Sequence, residues 1–197
     1  MKKNGGDFCK EVLDDFATYK VIMNEQKRIL DETIHINANK KTRTDWLAAR
    51  SKIEHSSVEG IFFEVEVLPD NHRHFKFLIM AEGYSNKRLA RYDSAGSPHR
   101  NPANSPHYSK QRIAPPHFHK WDDLGRNIAY KTEKLNSVKE EDLGNINRII
   151  ILFCEEMKAY CQHLSWPIFK INEKPGSQLP MFEEEENDDP LKNIKFK

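Results

Sequence analysis

The 197-residue sequence predicts an α+β fold: an antiparallel sheet of about five to seven strands, with an N-terminal helix and a long C-terminal helix packed on it. Apolar residues recur at steps of three and four in 7–31 and 140–164, the spacing of one helix face. Between them, residues 61–93 alternate apolar and polar with a period of two, and Gly, Pro, Asn and Asp separate the alternating runs. Helix, consecutive strands, helix is the order of an α+β domain. That domain is expected to fill 1–172, and 173–197 to form a disordered acidic tail.

The first helix is predicted over 7–31, with Asp7 as N-cap and Glu11 in the first turn. Phe8, Val12, Phe16, Tyr19, Met23, Gln26 and Leu30 recur at steps of three and four along one face. The sheet is predicted over 33–133, opening with a short strand, Thr33–Asn37. Thr42–Ile53 is polar and fits neither period. Ile61–Leu68 places Ile61, Phe63, Val65 and Val67 on one face. A Pro69-Asp70-Asn71 turn leads to His74–Ala81 as a hairpin, and Lys87–Asp93 follows as a third strand. Residues 94–116 form a proline-rich connection, longer than the roughly 12–15 residues usual for a structureless loop. Pro116–Trp121 and Asn127–Glu133 read as a second hairpin. The helix at 140–164 carries Ile146, Ile149, Ile150, Phe153, Met157, Tyr160 and Leu164 on one stripe, and Trp166–Ile171 adds a final strand. Beyond Asn172 the chain has too little apolar surface to offset the entropy of ordering it.

Hydrophobic residues make up 38% and charged residues 31%. No apolar run approaches the roughly 18–20 residues of a membrane span, the longest being Ile149–Cys154. No signal-peptide core follows the first residues, so a soluble, cytoplasmic protein without membrane partners is expected. Three widely spaced cysteines, Cys9, Cys154 and Cys161, do not make a disulfide framework. Gly-rich phosphate loops, the dinucleotide fingerprint and the Gly-x-Ser-x-Gly elbow are all missing. The net charge of +1 hides a segregation: 183–197 holds six acids, whereas 86–131 holds nine basic residues against three acids. A segment of that sign is either a solvated loop or a surface for an anionic partner.

Four histidines, His99, His107, His117 and His119, fall within 21 residues of the basic segment. His117 and His119 stand at i and i+2, so on a strand they share a face about 6–7 Å apart while Phe118 points the other way. Phe118 marks the core side and leaves the imidazoles on an open side. Such a pair can hold a metal, exchange protons or bind phosphate. A metal would need further ligands from Asp93, His99, His107, Asp122 or Asp123, and the last two stand at the wrong spacing in a turn. Acid–base chemistry without a cofactor is the favoured reading. RNA cleavage needs a base for the 2′-hydroxyl, an acid for the leaving 5′-oxygen and a cation for the phosphorane. The segment supplies such groups in His99, His107, His117, His119, Arg91, Arg100, Tyr92 and Lys120. Arg88, Arg100, Arg112, Lys120 and Trp121 are the expected nucleic-acid contacts.

The string Arg91-Tyr92-Asp93, then Pro98-His99-Arg100-Asn101-Pro102, then Pro116-His117-Phe118-His119-Lys120-Trp121 resembles two related bacterial groups. One comprises uncharacterised, often prophage-encoded proteins with an Arg-x-Asp … His-x-Asn-Pro … His-x-His pattern. The other is the TumE-type family of toxins in toxin–antitoxin pairs. The resemblance covers about residues 60–163 and implies a small toxin-like fold, RNA cleavage, and a shared site at Arg91, Tyr92, Asp93, His99, His117 and His119. The expected function is a toxin-like or phage-defence ribonuclease that works without a metal. Its partners would be RNA or another anion, and a cognate antitoxin or a host or phage protein. The alternative is a non-catalytic nucleic-acid- or nucleoprotein-binding module of a phage or mobile element, such as an inhibitor of host defence. In the catalytic geometry expected, Arg91 and Asp93 flank the imidazoles, Asp93 orients one through Nδ1, and His99 enters from the loop.

Overall fold

The computed structural model describes residues 8–38, 46–84, 88–102 and 112–172. The expected tail 173–197, the Asp7 cap and His107 lie outside the described residues.

The fold is α+β and is built mostly of strands. The predicted first helix is three elements: α1 (Lys10–Asp14), α2 (Phe16–Asn24) and strand β1 (Lys27–Ile29). Asp15 breaks the helix, leaving helical dihedrals (φ −142°, ψ 71°), and its carboxylate accepts from the Thr18 amide to cap α2. At the far end the fully buried Lys27 curls back, and its Nζ donates to the Ile22 and Glu25 carbonyls that α2 leaves open. Burial first, and Lys158 second, push the Lys27 ammonium down to about 8. Strands β2 (Thr33–Ala38) and β3 (Leu47–Glu54) follow, the latter in the stretch that fitted neither period. The alternating runs are strands β4 (Ile61–Leu68), β5 (Asn71–Ala81) and β6 (Arg88–Asp93), consecutive and antiparallel as expected.

The proline-rich connection is not structureless. It contains β7 (His99–Arg100) paired antiparallel to β8 (Arg112–Ile113), a short ribbon outside the main sheet. The predicted second hairpin is β9 (His117–Trp121) and β10 (Asn127–Tyr130). Helix α3 (Glu133–Asn136) takes up Glu133, capped by Thr132. The long C-terminal helix is shorter than predicted: α4 spans Ile146–Met157, from the Asn145 cap to Lys158 in the left-handed region at φ 50°. Beyond it come β11 (Ala159–Tyr160), a 3-10 turn (Gln162–Leu164) and β12 (Ile168–Ile171).

Strand order in the main sheet is β10-β9-β6-β5-β4-β3-β1-β11, with β2 on the start of β3 and β12 on β2. Ten strands replace the expected five to seven, because Lys27–Ile29, Leu47–Glu54 and Ala159–Tyr160 all join. Pairing is antiparallel except for β1 with β11 and β2 with β12. One face carries Phe63, Val65, Phe75, Phe77, Tyr92 and Phe118, all fully buried. Helix α4 packs there: the Phe153 ring lies 5.9 Å from Phe63 and 5.3 Å from Phe77, centroid to centroid. Ile149 and Met157 are buried with them. The histidines are on the opposite face.

Candidate functional site

Strands β6 and β9 lie side by side in antiparallel register, which sets Arg91 opposite His119 and Asp93 opposite His117. Residues directly opposite on such a pair project to the same side. A two-residue period on each strand therefore brings two imidazoles, a carboxylate and a guanidinium together. Asp93 Oδ2 is the hub. It lies 2.9 Å from Arg91 Nη2, 3.0 Å from His119 Nε2 and 3.7 Å from His117 Nε2. Arg91 Nη2 is also 2.9 Å from His119 Nε2. The His99 ring packs edge-on against His119 at 4.8 Å, and His117 at 4.6 Å.

His119 is gripped at both nitrogens. Its Nδ1 donates to Asn127 Oδ1 at 2.9 Å. Its Nε2 then either accepts from Arg91 as a bare lone pair or, in the imidazolium, donates to Asp93. Asp93 therefore engages His119 through Nε2 and not through Nδ1 as expected; Asn127, on the neighbouring β10, occupies the Nδ1 side.

Electrostatics follow from burial and charge. Burial opposes ionisation of Asp93, but the His119 hydrogen bond and the nearby Arg91, His119 and His117 together hold its carboxyl below the usual range. Burial, aided by His119, pushes His117 down to about 4, against the opposing pull of Asp93. His117 is thus neutral near pH 7. The Ala114 backbone favours its charged form without a well-directed bond to Nδ1. Among the described residues, His117 Nδ1, Asp93 Oδ1 and Arg91 Nε have no hydrogen-bond partner.

The face is not open. His117 and His119 are 2% and 3% exposed. After β6 the chain brings His99 against His119, and Asn101 ties it to β10. The Asn101 side chain donates to the Ala129 carbonyl and accepts from the Ala129 amide, both at 2.8 Å, so it completes the unpaired edge of β10 as a strand would. Arg91 remains 19% exposed and, with Arg88, His119, Lys120, Trp121 and Asn127, lines a small recess of about 10 Å³, room for one water.

Other expected members do not join the cluster. Tyr92 alternates away from Arg91 and Asp93 and is fully buried on the core face, stacked with Phe75 and Phe77. Burial raises its hydroxyl far above the ordinary value, so it does not join the histidines. Trp121 is 4% exposed and spends its ring N–H on the Arg88 carbonyl, so it offers no free face for stacking a base. Lys120 sits on the core side of β9, its ammonium 4.6 Å from the centre of the Tyr130 ring. Arg100 and Arg112 are exposed and directly opposed on the β7–β8 ribbon. Asn101 and Asn127 carry no titratable group, so a pattern of acid, base and cation residues does not mark them. Asn101 nevertheless lies inside the His-x-Asn-Pro string, and Asn127 begins the strand predicted to pair with the histidines.

No helix among the described residues is long and apolar enough to cross a membrane. Comparison with protein-family models found no match, nor did comparisons with curated proteins and with solved structures.

Proposed function

We propose that the chain is a toxin-like or phage-defence ribonuclease, cytoplasmic, that cleaves RNA by metal-independent transesterification at the β6–β9 face. The observation that carries this reading is the convergence of Arg91, Asp93, His117 and His119, with His99 against them and the Arg91 guanidinium partly exposed. In the reaction a base takes the 2′-hydroxyl proton, the 2′-oxygen attacks phosphorus, and an acid protonates the departing 5′-oxygen. His119 borders the recess and is held by Asp93 and Asn127, which suits it to exchange one of these protons. His117 and His99 flank it as carriers of the other. Arg91, whose planar fork matches phosphate oxygens, stabilises the charge on the phosphorane. Arg100 and Arg112 face each other as like charges, an arrangement that costs free energy until an anion lies between them. The reading requires the 94–102 segment to move off the imidazoles. An antitoxin or a host or phage protein would be the controlling partner.

The burial of both imidazoles, and the use of both His119 nitrogens inside the fold, favour a second reading: a binding module of a phage or mobile element. In it the network is a structural pin and the exposed arginines grip RNA or a nucleoprotein. Cleavage of RNA by the full chain in excess chelator separates the two. Cleavage that falls by about 10²–10⁴ in His119→Ala with an unchanged circular-dichroism spectrum is the expected result. A wild type that cuts no RNA but binds it, with salt-sensitive affinity that weakens in Arg100→Ala/Arg112→Ala, selects the binding module.

A further inference from the structure

We infer that Asp93, His117 and His119 form a divalent transition-metal site, filled by Zn²⁺ in competition with the Arg91 guanidinium. Carboxylate oxygen and imidazole nitrogen are ligands that Zn²⁺ takes together. One ligand atom from each of the three residues lies within 4.8 Å of the other two. A tetrahedral ion with bonds of about 2.0–2.1 Å holds its ligand atoms roughly 3.3 Å apart. Oδ2 to the two Nε2 atoms measures 3.0 and 3.7 Å, which brackets that value. The third edge, between the two imidazoles, is bounded only at 4.8 Å, so the rings must turn toward each other to close on an ion.

Two further features point to a ligand. Metal-bound histidines hold their other nitrogen in a hydrogen bond that fixes the tautomer, and Asn127 does this for His119, leaving Nε2 directed at Asp93. Buried polar atoms are nearly always satisfied, yet Asp93 Oδ1 has no hydrogen-bond partner among the described residues, which leaves a second carboxylate oxygen with free lone pairs beside the ligand set. Arg91 Nη2 supplies the positive charge in the arrangement seen, at 2.9 Å from both Oδ2 and the His119 Nε2. A metal needs those same lone pairs, so guanidinium and ion exclude one another. The partly exposed Arg91 has a way out to solvent. Three protein ligands leave one position of a tetrahedral ion for water.

For the ribonuclease reading the consequence is inhibition: Zn²⁺ would take the lone pairs that exchange protons and displace the arginine from the phosphorane. That consequence rests on the proposed activity; the binding does not. The test is titration of the chelator-treated full chain with Zn²⁺ alone, followed by calorimetry and by competition with a zinc-sensitive dye. One ion per chain is expected, with loss of the site in Asp93→Asn and in His119→Ala. Asn127→Ala should weaken binding about 10–100-fold, as loss of an outer-shell partner does. Arg91→Ala should bind tighter than wild type, an effect opposite in sign to that of a damaged fold. No stoichiometric binding, or binding that persists in both ligand variants as it would if the buried cysteines were the ligands, overturns the site. Equal affinity in Arg91→Ala overturns the competition. RNA cleavage is then compared in chelator and in stoichiometric Zn²⁺. Activity in neither condition, with zinc bound, sinks the ribonuclease and keeps the site; activity undiminished by bound zinc overturns the inhibition.

Discussion

Replacing His117 by Gln should flatten the acid limb of the stability curve. In the fold this imidazole titrates near 4, and its ordinary value is 6.5. The native state therefore binds its proton less tightly than the unfolded chain. Above about pH 6.5 both states are neutral and the ring contributes no pH dependence. As the pH falls below 6.5 the unfolded chain gains a proton that the native chain refuses, and stability drops until the pH passes about 4. Linkage between these two values gives a loss of about 2 kcal/mol at pH 5 and about 3 kcal/mol at pH 4. Because the ring is almost wholly buried, solvent screening removes little of this. Asp93 acts in a different window: its lowered carboxyl favours the fold above the ordinary carboxylate range, and that contribution disappears only as the pH falls below it. The His55 ring is also lowered, chiefly by burial, and gives a smaller slope of the same sign in wild type and variant alike. Urea unfolding at pH 7.5 and pH 5 is the assay. Wild type should lose about 2 kcal/mol more than His117→Gln over that interval, or about 4–8 °C in melting temperature. Equal losses in the two proteins would refute the buried, neutral imidazole.

Two further outcomes test the fold that carries the site. Phe153→Ala removes a fully buried ring from the Phe63–Phe77 cluster and should cost about 3–5 kcal/mol by urea unfolding, since the helix–sheet seam cannot collapse onto the gap. Asn101→Ala strips the Ala129 amide and carbonyl of their partners, so stability should fall by about 1–3 kcal/mol, and the Ala129 amide should exchange hydrogen much faster than those of Phe63 and Phe77.

The central sheet was legible because Ile61–Asp93 alternates so regularly that only antiparallel strands bury Phe63, Val65 and Phe77 together. The ends of the helices were not. Residues 7–31 fit a helical spacing, yet Asp15 caps a new helix and the Lys27 ammonium closes it, both through side-chain bonds to backbone that periodicity does not register. At the other end Ala159–Tyr160 is drawn into a strand by pairing with Lys27–Arg28, more than a hundred residues away. In the site, spacing alone showed that His117 shares a face with His119, and Arg91 with Asp93. The same parity sets Tyr92 on the other face. The register of β6 on β9, which makes four residues into one cluster, is a long-range fact. So is the burial of its reverse side: Phe118 marks the core side of its strand, but the spacing does not show that His117 and His119 are buried on the other.

The two parallel pairings tie early chain to late chain: Thr33–Ile36 lies along Ile168–Ile171, and Lys27–Arg28 along Ala159–Tyr160. During synthesis, β2 emerges long before its partner exists. At roughly 5–20 residues per second, β12 follows β2 by on the order of ten seconds. Over that interval the open flank of β2 is available to any passing strand, a standing invitation to mispairing. Contacts so distant in sequence also slow the search for the native topology once the chain is complete. The β4–β5–β6 meander, whose contacts are local, can form while the chain is still growing, and the flank that joins the first strands to the last must close afterwards. Assembly of this protein is therefore expected to run from the middle outward, with the β6–β9 face framed before the sheet is sealed.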